Sequence, residues 1–237
     1  MKINILKSEN RGKADLGWLK TRYSFSFSNY FNPSRMHFGM LRVLNDDHIA
    51  GGMGFGMHPH DNMEIITIPT AGGLRHRDSM GNSATVHAGE VQVMSAGKGI
   101  YHSEVNPYHE PVELFQIWIF PDKDNVEPRY DQKAYTEMLH PGEWTLIVGP
   151  QGASDEALWI HQNAYLSLLK GTDTALTTEY RPFTEGQGLY LMVIEGSATV
   201  EGMPLSRRDS IEVTEFEKLQ LEIAPNTQLL AIEVPMR

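Results

Sequence analysis

Val112–Phe120 reads VELFQIWIF, an almost unbroken apolar run bracketed by Pro111 and Pro121. Its length and its β-branched and aromatic content mark a central strand buried on both faces. Outward from it the same character recurs. In Arg22–Ser28, RYSFSFS, the residues Tyr23, Phe25 and Phe27 alternate with serine, the pattern of a strand with one aromatic face buried. FGMLRVL (Phe38–Leu44) reads as another strand. GLRHRD (Gly73–Asp78) and SATVHA (Ser83–Ala88) flank a Ser79–Asn82 turn and read as a hairpin. The second half offers ALTTEY, LYLMVIEG, SATVEG, DSIEV, LQLEI and LLAIEVP, while long stretches of 3.6-residue periodicity are scarce. The chain is therefore all-β. A charged, proline-punctuated segment, Pro121–Trp144, separates two β-rich halves, expected as units 1–132 and 133–237. TAGGLRHRD (Thr70–Asp78) is faintly echoed by IEGSATVEG (Ile194–Gly202), as two similar sheets in tandem require.

The 237 residues are 41% hydrophobic, enough for one large core or two ordinary ones. No run approaches the roughly 18 apolar residues of a membrane span, and the start, MKINILKSENRGKADL, is expected to carry no signal peptide. There is no cysteine, so disulfides and thiolate metal sites are excluded, and any metal must use nitrogen and oxygen ligands. That fits the cytoplasm. A formal charge of -10 repels nucleic acid and acidic membranes, which leaves a small uncharged or hydrophobic substrate. A monomer is expected.

Two short motifs carry chemistry. In GFGMHPHDNMEII (Gly54–Ile66), His58 and His60 stand two apart, so on a strand they project to the same face while Pro59 turns away. Pro59 lacks an amide donor and suits an edge or bent strand; alternatively, the histidines sit in a surface turn. In AGKGIYHSEVN (Ala96–Asn106), His102 and Glu104 repeat the spacing behind Gly97 and Gly99, which let the backbone bend tightly. A local His102–Glu104 salt bridge is the plain alternative. If both pairs converge, three imidazoles and one carboxylate leave a six-coordinate divalent ion two open positions.

The pieces RGKADLGWL, SFSFSNYFNP, FGMLRVLNDD, GFGMHPHDNMEIIT, HRDSMGN and AGKGIYHSE, in this order and spacing, resemble the pirin family of the cupin superfamily, especially its bacterial quercetin dioxygenase-like members. The resemblance spans essentially the whole chain and is densest from Arg11 to Gln132. It implies a bicupin: two tandem antiparallel β-sandwich barrels of jelly-roll type, with metal only in the first. It assigns His58, His60, His102 and Glu104 as ligands of one divalent ion, Fe(II) first, with Ni, Co, Mn, Cu or Zn as alternatives. It further implies ring-opening of a flavonol with O2 and release of carbon monoxide, with Glu104 as ligand and general base. A second branch of the family implies instead a non-enzymatic, redox-sensitive metal-binding module that engages protein partners.

Glu64 shares the parity of His58 and His60, but regular strand rise puts it about 13 Å beyond His60. It is expected to act behind the ligands, orienting an imidazole, or to be a structural acid. Tyr23 stands where the family often has histidine, Asp61 where a basic residue is frequent, and Pro69 is expected to end its strand early or to mark an edge. His76 is expected to be a hydrogen-bonded structural histidine and His161 an interface one. His37, His48, His87, His109 and His140 have no partner at ligand spacing, and no histidine follows His161, so the second unit cannot repeat such a site.

Overall fold

A computed structural model describes residues 1–237. Apart from two single-turn 3-10 segments, Ser8–Asn10 and Thr136–Met138, all regular structure is β, and no helix is long and apolar enough to cross a membrane. After β1 (Lys2–Leu6), the first unit contains β2 (Gly12–Asp15), β3 (Leu19–Tyr23), β4 (Leu41–Ile49), β5 (Gly54–His60), β6 (Glu64–Ala71), β7 (Gly73–Asp78), β8 (Ser83–His87), β9 (Glu90–Ser95), β10 (Ile100–Val105), β11 (Val112–Ile119) and β12 (Arg129–Ala134). The second contains β13 (Trp144–Pro150), β14 (Leu158–Ile160), β15 (Tyr165–Lys170), β16 (Leu176–Tyr180), β17 (Gly188–Glu195), β18 (Ser197–Val200), β19 (Met203–Ser206), β20 (Ser210–Thr214), β21 (Leu219–Ile223) and β22 (Gln228–Val234).

Each unit pairs a seven-stranded sheet with a four-stranded one. The first has the orders β12-β9-β6-β11-β4-β3-β2 and β5-β10-β7-β8; the second has β1-β20-β17-β22-β15-β13-β14 and β16-β21-β18-β19. The apolar run Val112–Ile119 is β11, central between β6 and β4, and the expected hairpin is β7–β8. The echo noted between the halves is also structural: β6 runs into β7 as β17 runs into β18, each pair at the same place in its two sheets. Strand pairing crosses the 132/133 division at both ends. Lys2–Leu6 hydrogen-bonds to β20 of the second unit, and β12 extends through Ala134 on the first unit's sheet.

One apolar cluster, including Leu44, Ile66, Phe115 and Ile117 from the first unit and Tyr190, Met192, Leu230 and Ile232 from the second, joins the two large sheets. The opposite faces differ. The second unit's interior is one cluster of 15 buried apolar residues, whereas the first unit's is split into clusters of 6 and 4, so something polar lies between them. Cross-strand register shows what it is. Tyr23, Asn45, Gln116, Thr67, Gln92 and Gln132 are successive direct neighbours across six strands. The corresponding row of the second unit is Leu146, Ser167, Ala231, Leu191, Ile211 and Ile5. Topology is shared; the first unit fills its interior row with side chains that must be hydrogen-bonded, where the second has only Ser167.

Two expectations are corrected here. The alternation Tyr23-Phe25-Phe27 does not continue as a strand, because β3 ends at Tyr23 and Ser28 adopts a φ of 50°. The Ser26 hydroxyl accepts from the Asn32 amide at 2.8 Å and folds the segment back on itself. Phe25 then enters the cluster between the units, and Phe27 lines a cavity of the first unit. Pro69 neither ends β6 nor lies on an edge strand. β9 pairs only with Glu64–Thr67, and β6 bulges at Thr70 where β11 passes from Glu113 to Leu114, so the ladder is already irregular where the amide is missing.

Candidate metal centre

β5 is the edge strand of its sheet, as Pro59 requires, and β10 is its neighbour. The register sets His102 opposite His58, Tyr101 opposite Pro59 and Ile100 opposite His60. Alternation turns all three imidazoles to one side. Their ring centroids lie 4.4–4.9 Å apart, and one nitrogen from each falls within 4.8 Å of the others. Gly54 permits the close approach of β5 to β10, and Gly97 lets the chain entering β10 pass Val126. A Cβ at Gly54 would meet the Glu104 carbonyl oxygen at 2.2 Å, and one at Gly97, where φ is +49°, would meet the Val126 carbonyl oxygen at 2.0 Å.

Hydrogen bonds behind the imidazoles of His58 and His102 leave a nitrogen of each free. His58 Nδ1 lies 2.8 Å from the Gly56 carbonyl oxygen, to which it donates, leaving Nε2 as an acceptor. His102 is fully buried, and its Nε2 has no hydrogen-bond partner. Its Nδ1 faces His76 Nδ1 at 3.4 Å, and His76 Nε2 lies 2.9 Å from Asp78 Oδ2. Asp78 accepts a hydrogen bond from His76 Nε2, so His76 Nδ1 can accept from His102 Nδ1 and the lone pair of His102 is left on Nε2. Burial, then His58, holds the pKa of His60 down at about 4; burial, then the neighbouring histidines, holds His102 at about 2. An orphaned buried nitrogen grouped with a nitrogen of each of two other imidazoles is a donor set that suits a divalent cation.

Glu104 lies on the same face of β10, 4% exposed, and its Oε1 accepts from the Thr67 hydroxyl at 3.3 Å. Burial, reinforced by Asp47 and opposed by Thr67 and Gln116, pushes its carboxyl up to about 7. Glu104, His58 and His60 border a cavity of about 180 Å³. Phe27, Phe55, Leu74, Leu114 and Trp118 form its apolar wall; Asn45, Asp47 and Gln116 form a polar one.

The comparisons with known proteins agree with this layout. The family model for pirin matches residues 6–119, and that for the quercetinase C-terminal cupin domain matches residues 146–234. A quercetin 2,3-dioxygenase of Escherichia coli is 38% identical over 98% of this chain and 99% of its own. The chain belongs to the pirin family. A pirin-like protein of Caulobacter vibrioides is 36% identical over 94% of this chain and 95% of its own. The bacterial pirin YhhW of Escherichia coli in complex with nickel(II) superposes with a TM-score of 0.92 at 36% identity, covering 99% of each chain. This pirin is a bicupin, and its histidines 58, 60 and 102 have the geometry to hold one metal ion.

Glu64 in this pirin does not stand behind the ligands. The turn through Asn62, at φ 43°, ends β5 and moves the chain to the other sheet, which resets the parity that sequence spacing suggested. Thr67 faces the metal cavity, while Glu64 accepts from the Ser95 hydroxyl at 2.7 Å and its carboxyl is also bound by the backbone of His161 in the second unit. Burial drives its pKa up to about 7, against Ser95, His161 and Arg129. A raised folded-state pKa means that the protonated carboxyl favours folding, fully below its ordinary value of 4.5, with the contribution lost as pH rises through about 7. Glu64→Gln is therefore expected to gain on the order of 1–3 kcal/mol over the native chain between pH 5 and pH 8, read from denaturant midpoints; equal pH dependence in the two chains would refute it.

His76 is a hydrogen-bonded histidine as expected, but its partner His102 makes it part of the centre; Tyr130 stacks on it at 4.4 Å. His161 lies edge-on to Trp159 at the border of the units, its carbonyl accepting from Asp122. Sequence reading missed Asn45, Asp47, Gln116 and Asp78. Their signal was present: in LRVLNDDHI, Asn45 and Asp47 share parity with Val43 and Ile49, polar residues at inward positions of a strand.

Proposed function

We propose that this pirin is a metal-dependent dioxygenase of the quercetin 2,3-dioxygenase type, with His58, His60, His102 and Glu104 as ligands of one divalent ion, Fe(II) first. The observation that carries the reading is that His58, His60 and His102 each bring a nitrogen to one point, while the buried carboxyl of Glu104 borders the same aromatic-walled cavity as His58 and His60. The bound ion supplies Lewis-acid stabilisation of a substrate oxyanion and access to O2 chemistry.

The protein's own groups do the rest. Thr67, whose hydroxyl lies 3.3 Å from Glu104 Oε1 and 3.0 Å from Gln116 Oε1, orients the Glu104 carboxyl, which would take the proton of a flavonol 3-hydroxyl. Phe27 and Trp118, edge to face at 5.3 Å, present an apolar surface to a flat ring and exclude water from the reacting side. The Asp78–His76 pair fixes the tautomer of His102.

Anaerobic reconstitution with Fe(II), followed by oxygen uptake and carbon monoxide release on quercetin, tests the reading. Stoichiometric metal binding without carbon monoxide, for Fe, Ni, Co, Mn, Cu and Zn alike, rejects it in favour of a non-enzymatic metal-binding module.

A further inference from the structure

The polar wall of the cavity is not accounted for by metal binding. Asn45 and Asp47 lie on β4, across the interior from the β5–β10 histidines, 3% and 6% exposed. Both border the cavity, and Asn45 Oδ1 and Asp47 Oδ1 are buried without a hydrogen-bond partner. The neighbouring polar groups are engaged elsewhere: Gln116 Oε1 accepts from Thr67 at 3.0 Å, and Thr67 also leans on Glu104. Thr21, directly opposite Asp47 on β3, can turn its hydroxyl towards one carboxyl oxygen, but a carboxylate has about four acceptor sites and Asn45 gains nothing from it. Leaving such acceptors unpaired costs free energy, a penalty that a ligand bearing donors removes.

We propose that Asn45 and Asp47 form a substrate subsite that accepts hydrogen bonds from ring hydroxyls of a neutral, polyhydroxylated aromatic compound, separate from the hydroxyl that the metal centre takes. The inference rests on the proposed function for the direction from which the substrate enters. Two residues apart on one strand face, the acceptors spring from backbone positions about 7 Å apart. That spacing suits two hydroxyls set meta on one ring better than a vicinal pair. The facing aromatic wall of Phe27, Phe55 and Trp118 suits the ring itself. A compound that is anionic at this edge is disfavoured, because it would meet the Asp47 carboxyl.

The test is binding without turnover. The Zn(II)-loaded protein is titrated under argon with galangin, which carries a meta pair of A-ring hydroxyls, and with 3-hydroxyflavone, which has only the 3-hydroxyl; tryptophan fluorescence or calorimetry reads affinity. Galangin is expected to bind tighter by about tenfold or more. Asp47→Ala and Asn45→Ala are each expected to weaken galangin about tenfold and to leave 3-hydroxyflavone within about twofold, with zinc retention as in the native chain. Should an alanine variant fail to fold, Asp47→Asn, which keeps the shape and one acceptor oxygen, is expected to weaken galangin about threefold and to leave 3-hydroxyflavone within about twofold; an unchanged galangin affinity overturns the subsite. Equal loss for both flavonols, no loss for galangin, or no binding of either overturns the subsite. The two readings fail separately. Hydroxyl-dependent binding that needs Asp47, in a protein releasing no carbon monoxide, keeps the subsite and removes the dioxygenase; carbon monoxide release with Asp47-independent affinity does the reverse.

Discussion

His102→Ala is expected to lose its metal under conditions where the native chain holds one ion per chain. His102 is the most enclosed of the three imidazoles, fully buried, opposite His58 across the ladder, and its Nε2 has no other partner. Removing it deletes a donor and also strands His76, whose Nδ1 then faces a void while its Nε2 stays bound to Asp78. Loss of a supporting residue behind a metal ligand typically costs 10–100-fold in affinity, so loss of the ligand should cost more than about 100-fold. Metal content after dialysis against a chelator and the metal-induced rise in melting temperature both read this. A His102→Ala chain that keeps stoichiometric metal through such dialysis would refute the centre as drawn.

The second large effect is that of Glu104→Gln. The amide preserves shape and can still accept from Thr67, but it cannot take a proton, and it is a weaker ligand for a hard divalent cation. Turnover of a flavonol is expected to fall about 10²–10⁴-fold, the usual value of a positioned general base. Glu64→Gln is expected to leave turnover within about twofold, since Glu64 is bound to Ser95 and faces the second unit. Measuring both variants for metal content and oxygen uptake separates the two carboxylates. If Glu64→Gln empties the centre while Glu104→Gln does not, the carboxylate ligand has been assigned to the wrong residue.

A shared topology with opposite interiors explains why one unit offers a site and the other a packed core. Six adjacent strands place Tyr23, Asn45, Gln116, Thr67, Gln92 and Gln132 in one row, where the second unit places five apolar residues and Ser167. A filled interior is stabilised by burial of apolar area, roughly 25 cal/mol per Å². The first unit forgoes part of that and keeps a cavity with buried, titratable groups. Stability of the whole is supplied where the two large sheets meet, through the cluster that runs from Leu44 and Phe115 to Tyr190 and Ile232. The N-terminal strand adds a second tie, pairing with β20 while Arg35 of the first unit reaches Glu212 of that strand at 2.6 Å.

Period-two alternation and apolar runs were enough to read the all-β class from the chain, because strand geometry repeats within a few residues. The same local rule placed His58 with His60 and His102 with Glu104, and made Pro59 an edge residue. It failed wherever the chain changes sheet. Glu64 kept its parity on paper and lost it at the Asn62 turn, and Phe25 and Phe27, two apart, end on opposite sides of a sheet because β3 stops at Tyr23. That two strands bring their histidines to one point, that Asp78 and His76 support one of them, and that Asn45 and Asp47 face them are matters of register between distant strands. Such register follows from the packing of two sheets, and no local pattern encodes it.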